Sequence, residues 1–447
     1  MKPLPHELKL TGLKRSRRKL ATLSTASKNE ILREVARRID AQKQDLLQAN
    51  REDLERFDQA QSRPASFRDR LALTEARIHH MRDSLLSVAD LPDPVGEQLE
   101  TRTLASGVLA KKIRSPLGTI LVIFEARPNV IPEVFALAFK AGNSVCLRGG
   151  SESQSTNRVL YQIIEDTLQK LLPFPDTDES LSTNRPIPFM GIDDYDRALV
   201  GRLLQRSDIF DICIPRGGDE LIARVTSESR MPVIKNDRGL CHLYVHEKAN
   251  LDMALRIAIN AKTQRPSVCN SIETLLVDRL VAHQFYRVAV PALYKLGVSF
   301  YACEDSIKIL KNAPDSIAKT DKVESPWVSA VHLADTQAFS REYLDLKLNL
   351  KIVEGLELAL HHIAIHGSQH SECIITDDEK IAREFQNSVD AACVYWNAST
   401  RFTDGYEFGL GGEIGISTQK LHVRGPVGLK ELTSARWILD GHGEIRE

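Results

Sequence analysis

"LVIFEARPNVIPEVFALAFKAGNSVCLRGGSES", residues 121–153, reads as a strand, a loop, a helix and a second strand. The apolar, β-branched run before Glu125 suits a strand buried on both faces, and the helix that follows brings the chain back to a neighbouring strand at 144–148. Ligands of open α/β sheets sit at the carboxyl ends of the strands, so Asn129 and Arg148 are both placed to meet one.

The same texture continues outward. Strand-like runs at 118–124, 144–148, 209–215, 232–235 and 242–246 alternate with helices over 132–140, 156–171 and 220–229, which predicts a parallel sheet in a doubly wound α/β domain. The pattern restarts after Cys269 with "IETLLVD", "LKIVE", "ECIITD" and "CVYWNA", so a second α/β domain follows. Upstream, 27–57 reads as one helix with a capping box of Ser27 and Glu30. The polar, Pro-rich stretch 173–188 is a loop inside the first domain.

A chain of 447 residues exceeds one small core, since compact domains run to roughly 100–200 residues. With 59 basic and 60 acidic residues the net charge is −1, which argues against a field that gathers nucleic acid or an anionic membrane. The basic run from Lys14 to Lys19 reads as a solvated face. No apolar run approaches a membrane span and the N-terminus lacks a secretory apolar segment, so a cytoplasmic location is expected. Seven irregularly spaced cysteines without a CxxC pair disfavour a disulfide framework or a zinc ribbon. His366 and His370 have HxxxH spacing, but Gly367 between them points to a loop and no metal is expected.

Four stretches offer chemistry. In "NAKTQRPSVCNSIETLLV" (260–277), Pro266 opens a non-helical entry to Cys269 with Lys262 and Arg265 close in sequence, which suits either a nucleophilic thiolate or a buried structural thiol. Asn129 offers an amide for a developing oxyanion, or it stabilises its turn. "IPRGGDELIARV" (214–225) sets Gly217 and Gly218 at a strand-to-helix turn, where backbone N–H groups can approach phosphate or a plain tight turn forms. The segment 394–426 embeds Arg401 among Gly, Ser and Thr, as a carboxylate or phosphate site would, or as a surface loop would.

Taken together, "FEARPNV" (124–130), "IPRGG", "NAKTQRPSVCN", "NASTRFTDG" (397–405) and "EIGISTQKLHVRGPVGL" (413–429) resemble the gamma-glutamyl phosphate reductase family, a branch of the aldehyde dehydrogenase superfamily. The match runs from about residue 30 to the C-terminus, with Phe124 in place of a Tyr, an extended 173–188 loop and no match over 1–12.

The resemblance implies an aldehyde-dehydrogenase-like fold: a Rossmann-like NADPH-binding domain (1–100 and 119–245), an α/β catalytic domain (246–420), and a small β oligomerisation element (101–118 and 421–447) that makes a homodimer or dimer-based oligomer. It implies that Cys269 attacks L-glutamyl 5-phosphate, expels phosphate and forms a thioester, which NADPH reduces to L-glutamate 5-semialdehyde in proline biosynthesis. Asn129 aligns with the oxyanion-hole Asn, and Glu342 resembles the Glu that holds the nicotinamide ribose. Arg148 is a candidate for the cofactor's 2′-phosphate, beside Gly149, Gly217 and Gly218. Ser399, Thr400 and Arg401 are expected at the glutamyl carboxylate, and Arg265 or Arg127 at the phosphate.

Hydrolytic relatives carry a Glu that activates water where this chain reads "VIKNDRGLC" (233–241), so the thioester is expected to await hydride or phosphate. The matched motifs are those of the reductase alone, so a stand-alone reductase and not a fusion with a kinase is expected, and the upstream glutamate kinase is the protein partner that this step implies. A CoA-acylating or ordinary aldehyde dehydrogenase is the alternative enzyme, and an inactive scaffold or RNA-binding relative the alternative of another class.

Overall fold

The computed structural model describes residues 6–60, 65–125, 127–172, 186–235, 238–311 and 326–446. The greater part of the 173–188 loop and positions 236–237 of "VIKNDRGLC" lie outside the described residues. The chain divides into two units, Met1–Asn236 with Gly409–Glu447, and Asp237–Phe408.

In the first unit the chain passes through β1 (Gln98–Thr103), β2 (Leu109–Pro116), β3 (Thr119–Phe124), β4 (Ser144–Arg148), β5 (Phe189–Gly191) and β6 (Ile212–Arg216). Strands β5-β4-β3-β6 form a four-stranded parallel sheet. Alternation along β3 sends Ile120, Val122 and Phe124 to one face, against Ile31, Val35, Phe135 and Ile164 of three helices. Leu121 and Ile123 go to the other, against Leu13, Leu199 and Leu203. Both faces are therefore covered, as the continuous apolar run of β3 requires. The helix Val130–Lys140 between β3 and β4 is buried on every side.

The second unit contains β7 (Cys241–Val245), β8 (Ile272–Asp278), β9 (Ser299–Ala302), β10 (Val331–Leu333), β11 (Lys347–Val353), β12 (Ser371–Ile375) and β13 (Cys393–Trp396). They form one parallel sheet in the order β10-β9-β11-β8-β7-β12-β13. Leu275 and Val277 of β8 face one helical layer and Leu276 the other. The chain then returns to the first unit through the short pair β14 (Ile416–Ser417) and β15 (Gly425–Pro426) to β16 (Thr433–Asp440), which completes an antiparallel sheet β1-β2-β16.

The doubly wound α/β expectation holds, with four local corrections. The strand expected at 242–246 in the first domain is β7 of the second sheet, hydrogen-bonded to β8 and β12, so the chain changes unit before it. "PVIK" contributes only a single bridge from Val233 to Cys213. The helix expected over 27–57 is two helices, Thr25–Ala41 and Lys43–Ala60, because Gln42 leaves helical geometry (φ −98°, ψ 24°). Its cap is Ser24, which sits in extended backbone and accepts the N–H of Ser27 at 3.1 Å. The basic run lies in the helix Glu7–Leu20, where Lys14 donates to the carbonyl of Asp208 and Arg17 pairs with Asp211. Among the described residues, no helix is long and apolar enough to cross a membrane.

Candidate active site

Parallel strands place their amino ends together, and the thiol singled out in the sequence stands at that edge of the second sheet. The helix Leu251–Thr263 ends at Gln264, Pro266 carries the chain into a turn, and Cys269 sits half-buried three residues before β8. Three carbonyls between Cys269 and the first residue of β8 are held by side chains. Cys241 Sγ, at the start of β7, donates to Cys269 O at 3.2 Å. Thr400 Oγ1 donates to Asn270 O at 2.7 Å, and Lys262 Nζ donates to Ile272 O at 2.9 Å. Asn270 Nδ2 in turn donates to Thr403 O at 2.7 Å. A fixed turn holds a nucleophile in one geometry, and that geometry supplies much of the rate of an oriented reaction.

Arg401 lies in the turn Thr400–Phe402, capped by Ser399, whose hydroxyl accepts the Arg401 N–H at 3.3 Å. Its Nε donates to Gln264 Oε1 at 2.7 Å, which ties the arginine to the end of the helix that leads into the Cys269 turn. Burial pulls the Arg401 pKa down; Asp404 opposes that fall, the like charge of Arg265 adds to it, and Cys269 is near enough to oppose it. Arg265 and Cys269 are thus each within electrostatic reach of Arg401.

Two residues depart from their expected duties. Thr400, expected at the substrate carboxylate, is fully buried and its hydroxyl holds the Asn270 carbonyl instead. Lys262, a candidate cation for the thiol, is fully buried with Nζ 3.0 Å from Glu273 Oε2. Burial lowers the Lys262 pKa and raises that of Glu273 to about 7, with each partner's charge opposing the shift. The other Glu273 oxygen accepts the N–H of Leu344 at 3.2 Å, which anchors the loop carrying Glu342. Leu344 has φ 51°, a left-handed conformation that such an anchor maintains in a leucine.

Glu342 and Gly239, far apart in the chain, both act on the Cys269 turn. Glu342 Oε1 accepts the Gly239 N–H at 2.8 Å. A Cβ at position 239 would stand 1.8 Å from Cys269 O, so only glycine lets the segment lie against the Cys269 peptide. Neither Gly239 nor Cys241 stands out from spacing; the signal is "GLC" immediately before a buried strand, and it becomes legible only when β7 and β8 are known to be neighbours.

The remaining candidates belong to the first unit. Asn129 precedes the helix Val130–Lys140, is exposed, and makes no side-chain cap hydrogen bond, so its amide is not engaged at the helix end. Arg127 is half-buried two residues earlier. At the carboxyl end of β4, Arg148 is buried, donates to Gly149 O at 3.1 Å and lies over the Tyr195 ring at 5.7 Å; its Nε has no partner among the described residues. A Cβ at Gly149 would stand 2.4 Å from Asn157 Nδ2. Gly218 caps the helix Asp219–Glu228, with its N–H donated to Glu125 Oε2 at 2.9 Å, and a Cβ at Gly217 would strike the same carboxylate at 2.7 Å. A phosphate at that turn would have to displace Glu125.

His366 and His370 take separate partners. His366 Nδ1 is 3.0 Å from Ser340 Oγ, and His370 Nδ1 is 2.9 Å from Ser371 Oγ. Among the described residues, no group of three or more His, Cys, Asp or Glu is arranged to hold a metal ion.

No protein-family model matches the chain. It is 43% identical over 434 residues to the gamma-glutamyl phosphate reductase of Clostridium tetani, covering 97% of this chain and 96% of that protein. The crystal structure of gamma-glutamyl phosphate reductase from Thermotoga maritima superposes with a TM-score of 0.87 at 36% identity, covering 98% of this chain and 99% of that one. An acetylating aldehyde dehydrogenase from Geobacillus thermoglucosidasius shares the fold, with a TM-score of 0.66 at 18% identity over 99% of this chain and 98% of its own.

Proposed function

The chain belongs to the gamma-glutamyl phosphate reductase family, and from that premise we propose that it reduces L-glutamyl 5-phosphate to L-glutamate 5-semialdehyde in proline biosynthesis, with NADPH as reductant. The carrying observation is the neighbourhood of Cys269: a half-buried thiol in a braced turn, with Arg401 fastened to Gln264 and within electrostatic reach of Cys269 and Arg265. Such cations favour a thiolate and an anionic substrate together.

The Cys269 thiolate attacks the acyl carbon, the carbon–oxygen bond to phosphate breaks, and phosphate leaves with the bonding pair. The thioester carbonyl then takes up hydride, the carbon–sulfur bond breaks, and thiolate and aldehyde separate. Covalent capture lets phosphate depart before reduction, so no leaving group but the thiolate remains to be expelled. Asn129 would donate to the carbonyl oxygen as it gains charge. Arg265 and Arg127 would meet the phosphate, and Arg401 the α-carboxylate, with Ser399 shaping its turn.

The nicotinamide cofactor supplies the hydride. Residues of this chain suit one: the buried Arg148, whose Nε lacks a partner among the described residues, offers a cation at a strand's carboxyl end for the 2′-phosphate. Gly149 would keep the backbone low there, Gly217 and Gly218 would admit a phosphate after β6 once Glu125 is displaced, and Glu342 would accept from the ribose hydroxyls. The sheet β1-β2-β16, which leaves Trp437, Ile438 and Leu439 exposed, would join two copies into a dimer. The lability of an acyl phosphate makes the kinase that forms it the natural protein partner.

The test runs the reaction in reverse with purified protein. Phosphate-dependent reduction of NADP by glutamate 5-semialdehyde is expected from the wild type and not from Cys269→Ala. Turnover that survives in the variant would refute the thioester route, and wild-type turnover only with CoA in place of phosphate would favour an acylating aldehyde dehydrogenase.

A further inference from the structure

Behind the nucleophile's turn runs a buried chain of polar groups within the second unit. It starts at Cys269 O, held by Cys241 Sγ at 3.2 Å. Cys241 Sγ lies 3.7 Å from His370 Nδ1, which is 2.9 Å from Ser371 Oγ. Ser371 Oγ is 2.7 Å from Thr403 Oγ1, and Thr403 Oγ1 is 2.8 Å from Tyr395 OH. The circuit closes on the nucleophile, since Thr403 O accepts from Asn270 Nδ2 and Thr400 donates to Asn270 O. Cys241, His370, Ser371 and Thr403 are all buried.

The protons in this chain have a preferred arrangement. Burial lowers the His370 pKa to about 4, so the ring is neutral at physiological pH and carries one N–H. His370 Nε2 is buried and without a partner among the described residues. An orphaned N–H is rarer in proteins than an under-used acceptor, so the proton belongs on Nδ1, where it is donated to Ser371 Oγ. With Nδ1 a donor, the Cys241 thiol has the Cys269 carbonyl as its acceptor. Burial also raises the Cys241 pKa well above its ordinary value, so the S–H bond persists across the working range. A thiol is a weak donor, but a buried carbonyl that loses its donor bears the cost of desolvation alone.

We propose that Cys241, its proton directed by His370, is a positioning residue for the reaction: it fixes the peptide of Cys269 and so the direction in which the nucleophilic thiol projects. The proposal rests on Cys269 being the nucleophile, as inferred above. Cys241 itself touches neither substrate nor cofactor and stays a thiol throughout.

The variants are Cys241→Ala, which removes the donor, and Cys241→Ser, which restores one. Two readouts are taken beside thermal unfolding: kcat and KM for phosphate-dependent NADP reduction, and the rate at which iodoacetamide alkylates Cys269, followed on its own peptide by mass spectrometry across pH. Cys241→Ala is expected to lower kcat and the alkylation rate about tenfold, the worth of one hydrogen bond of about 1.4 kcal/mol, with cofactor KM and the pH midpoint of alkylation unchanged. Cys241→Ser is expected to recover most of both losses. If the alanine protein does not fold, Cys241→Val takes its place. Wild-type rates in the donor-less variant, or losses as deep in the serine variant, would overturn the proposal. Alkylation needs no substrate, so an error in the assigned reaction would show as absent wild-type turnover while the comparison of variants still stands.

Discussion

Glu342 and Gly239 are joined by a 2.8 Å hydrogen bond from the glycine N–H to the carboxylate, and that glycine lies directly against the peptide of Cys269. A carboxylate expected to hold the cofactor therefore also bears on the peptide of Cys269. Gly239→Ala tests the contact. Its Cβ would stand 1.8 Å from Cys269 O, 2.4 Å from Cys269 C and 2.5 Å from Cys269 Cα, all backbone atoms that cannot rotate aside. Overpacking of this kind costs about 1–3 kcal/mol. Because a misplacement near 1 Å can cost about a hundredfold in rate, kcat is expected to fall further than the loss of stability alone explains. Urea unfolding and steady-state kinetics separate the two, and an alanine variant with normal kcat would show that the turn tolerates displacement.

Lys262 and Glu273 form a fully buried ion pair beneath the same turn. In Lys262→Met the carboxyl loses its counter-charge, so its folded pKa rises beyond the present value of about 7. A carboxyl whose folded pKa exceeds its unfolded one binds protons more tightly in the folded state. Stability is then lost as pH climbs from the ordinary carboxyl range through the folded pKa. The variant should be less stable than wild type by about 3 kcal/mol at pH 8, as for other broken buried pairs, and by distinctly less at pH 5.5. Denaturant titrations at the two pH values decide it; an equal deficit at both would mean that packing, not charge, carries the effect.

The parallel sheets were legible because a strand buried on both faces carries an apolar run, as 120–124 of β3, 145–147 of β4 and 275–277 of β8 do. The same property hid the allegiance of β7, since "CHLYV" says that it is buried but not in which sheet. Short elements such as β10, three residues long, offer too little pattern to read. At the site, Cys269 stands out in the sequence through its motif, whereas the turn of the Thr400 hydroxyl to the Asn270 carbonyl does not, because a hydroxyl in a loop carries no sign of the direction it faces. Cys241 and His370 join the Cys269 turn through contacts that exist only once strands far apart in sequence are neighbours.

Arg401 is fastened by Gln264 and flanked by Arg265. Arg401→Ala removes a half-desolvated cation from the expected place of the substrate carboxylate, and charged hydrogen bonds of that kind are worth about 1.5–3 kcal/mol. Substrate KM should rise about tenfold or more while cofactor KM stays near wild type. Equal changes in both constants would remove Arg401 from the substrate site.

Arg148 is buried at the carboxyl end of β4, its guanidinium over Tyr195. A planar cation in that place favours a phosphate monoester over the hydroxyl that NADH presents. Arg148→Gln should weaken NADPH about tenfold or more and leave NADH nearly unchanged. Fluorescence titration of both cofactors measures this without turnover, and an equal loss for the two would mean that Arg148 supports the strand end and does not read the 2′-phosphate.

The sheet β1-β2-β16 tests the proposed dimer. β16 pairs with β2 over eight residues, from Thr433 opposite Pro116 to Asp440 opposite Leu109, and all its side chains after Thr433 are exposed in the single chain. Leu439 is 56% exposed beside Ile438 and Trp437, and the strand lies at an edge of its sheet. An edge strand whose Trp437, Ile438 and Leu439 stand open to water invites pairing with another chain, even beside the charge of Arg436. Light scattering of the wild type should give the mass of two chains or a multiple of that. Ile438→Lys with Leu439→Glu should shift it to one chain with little change in the unfolding midpoint, because neither side chain supports the core of its own unit. An unchanged mass in the double variant would exclude β16 from the interface.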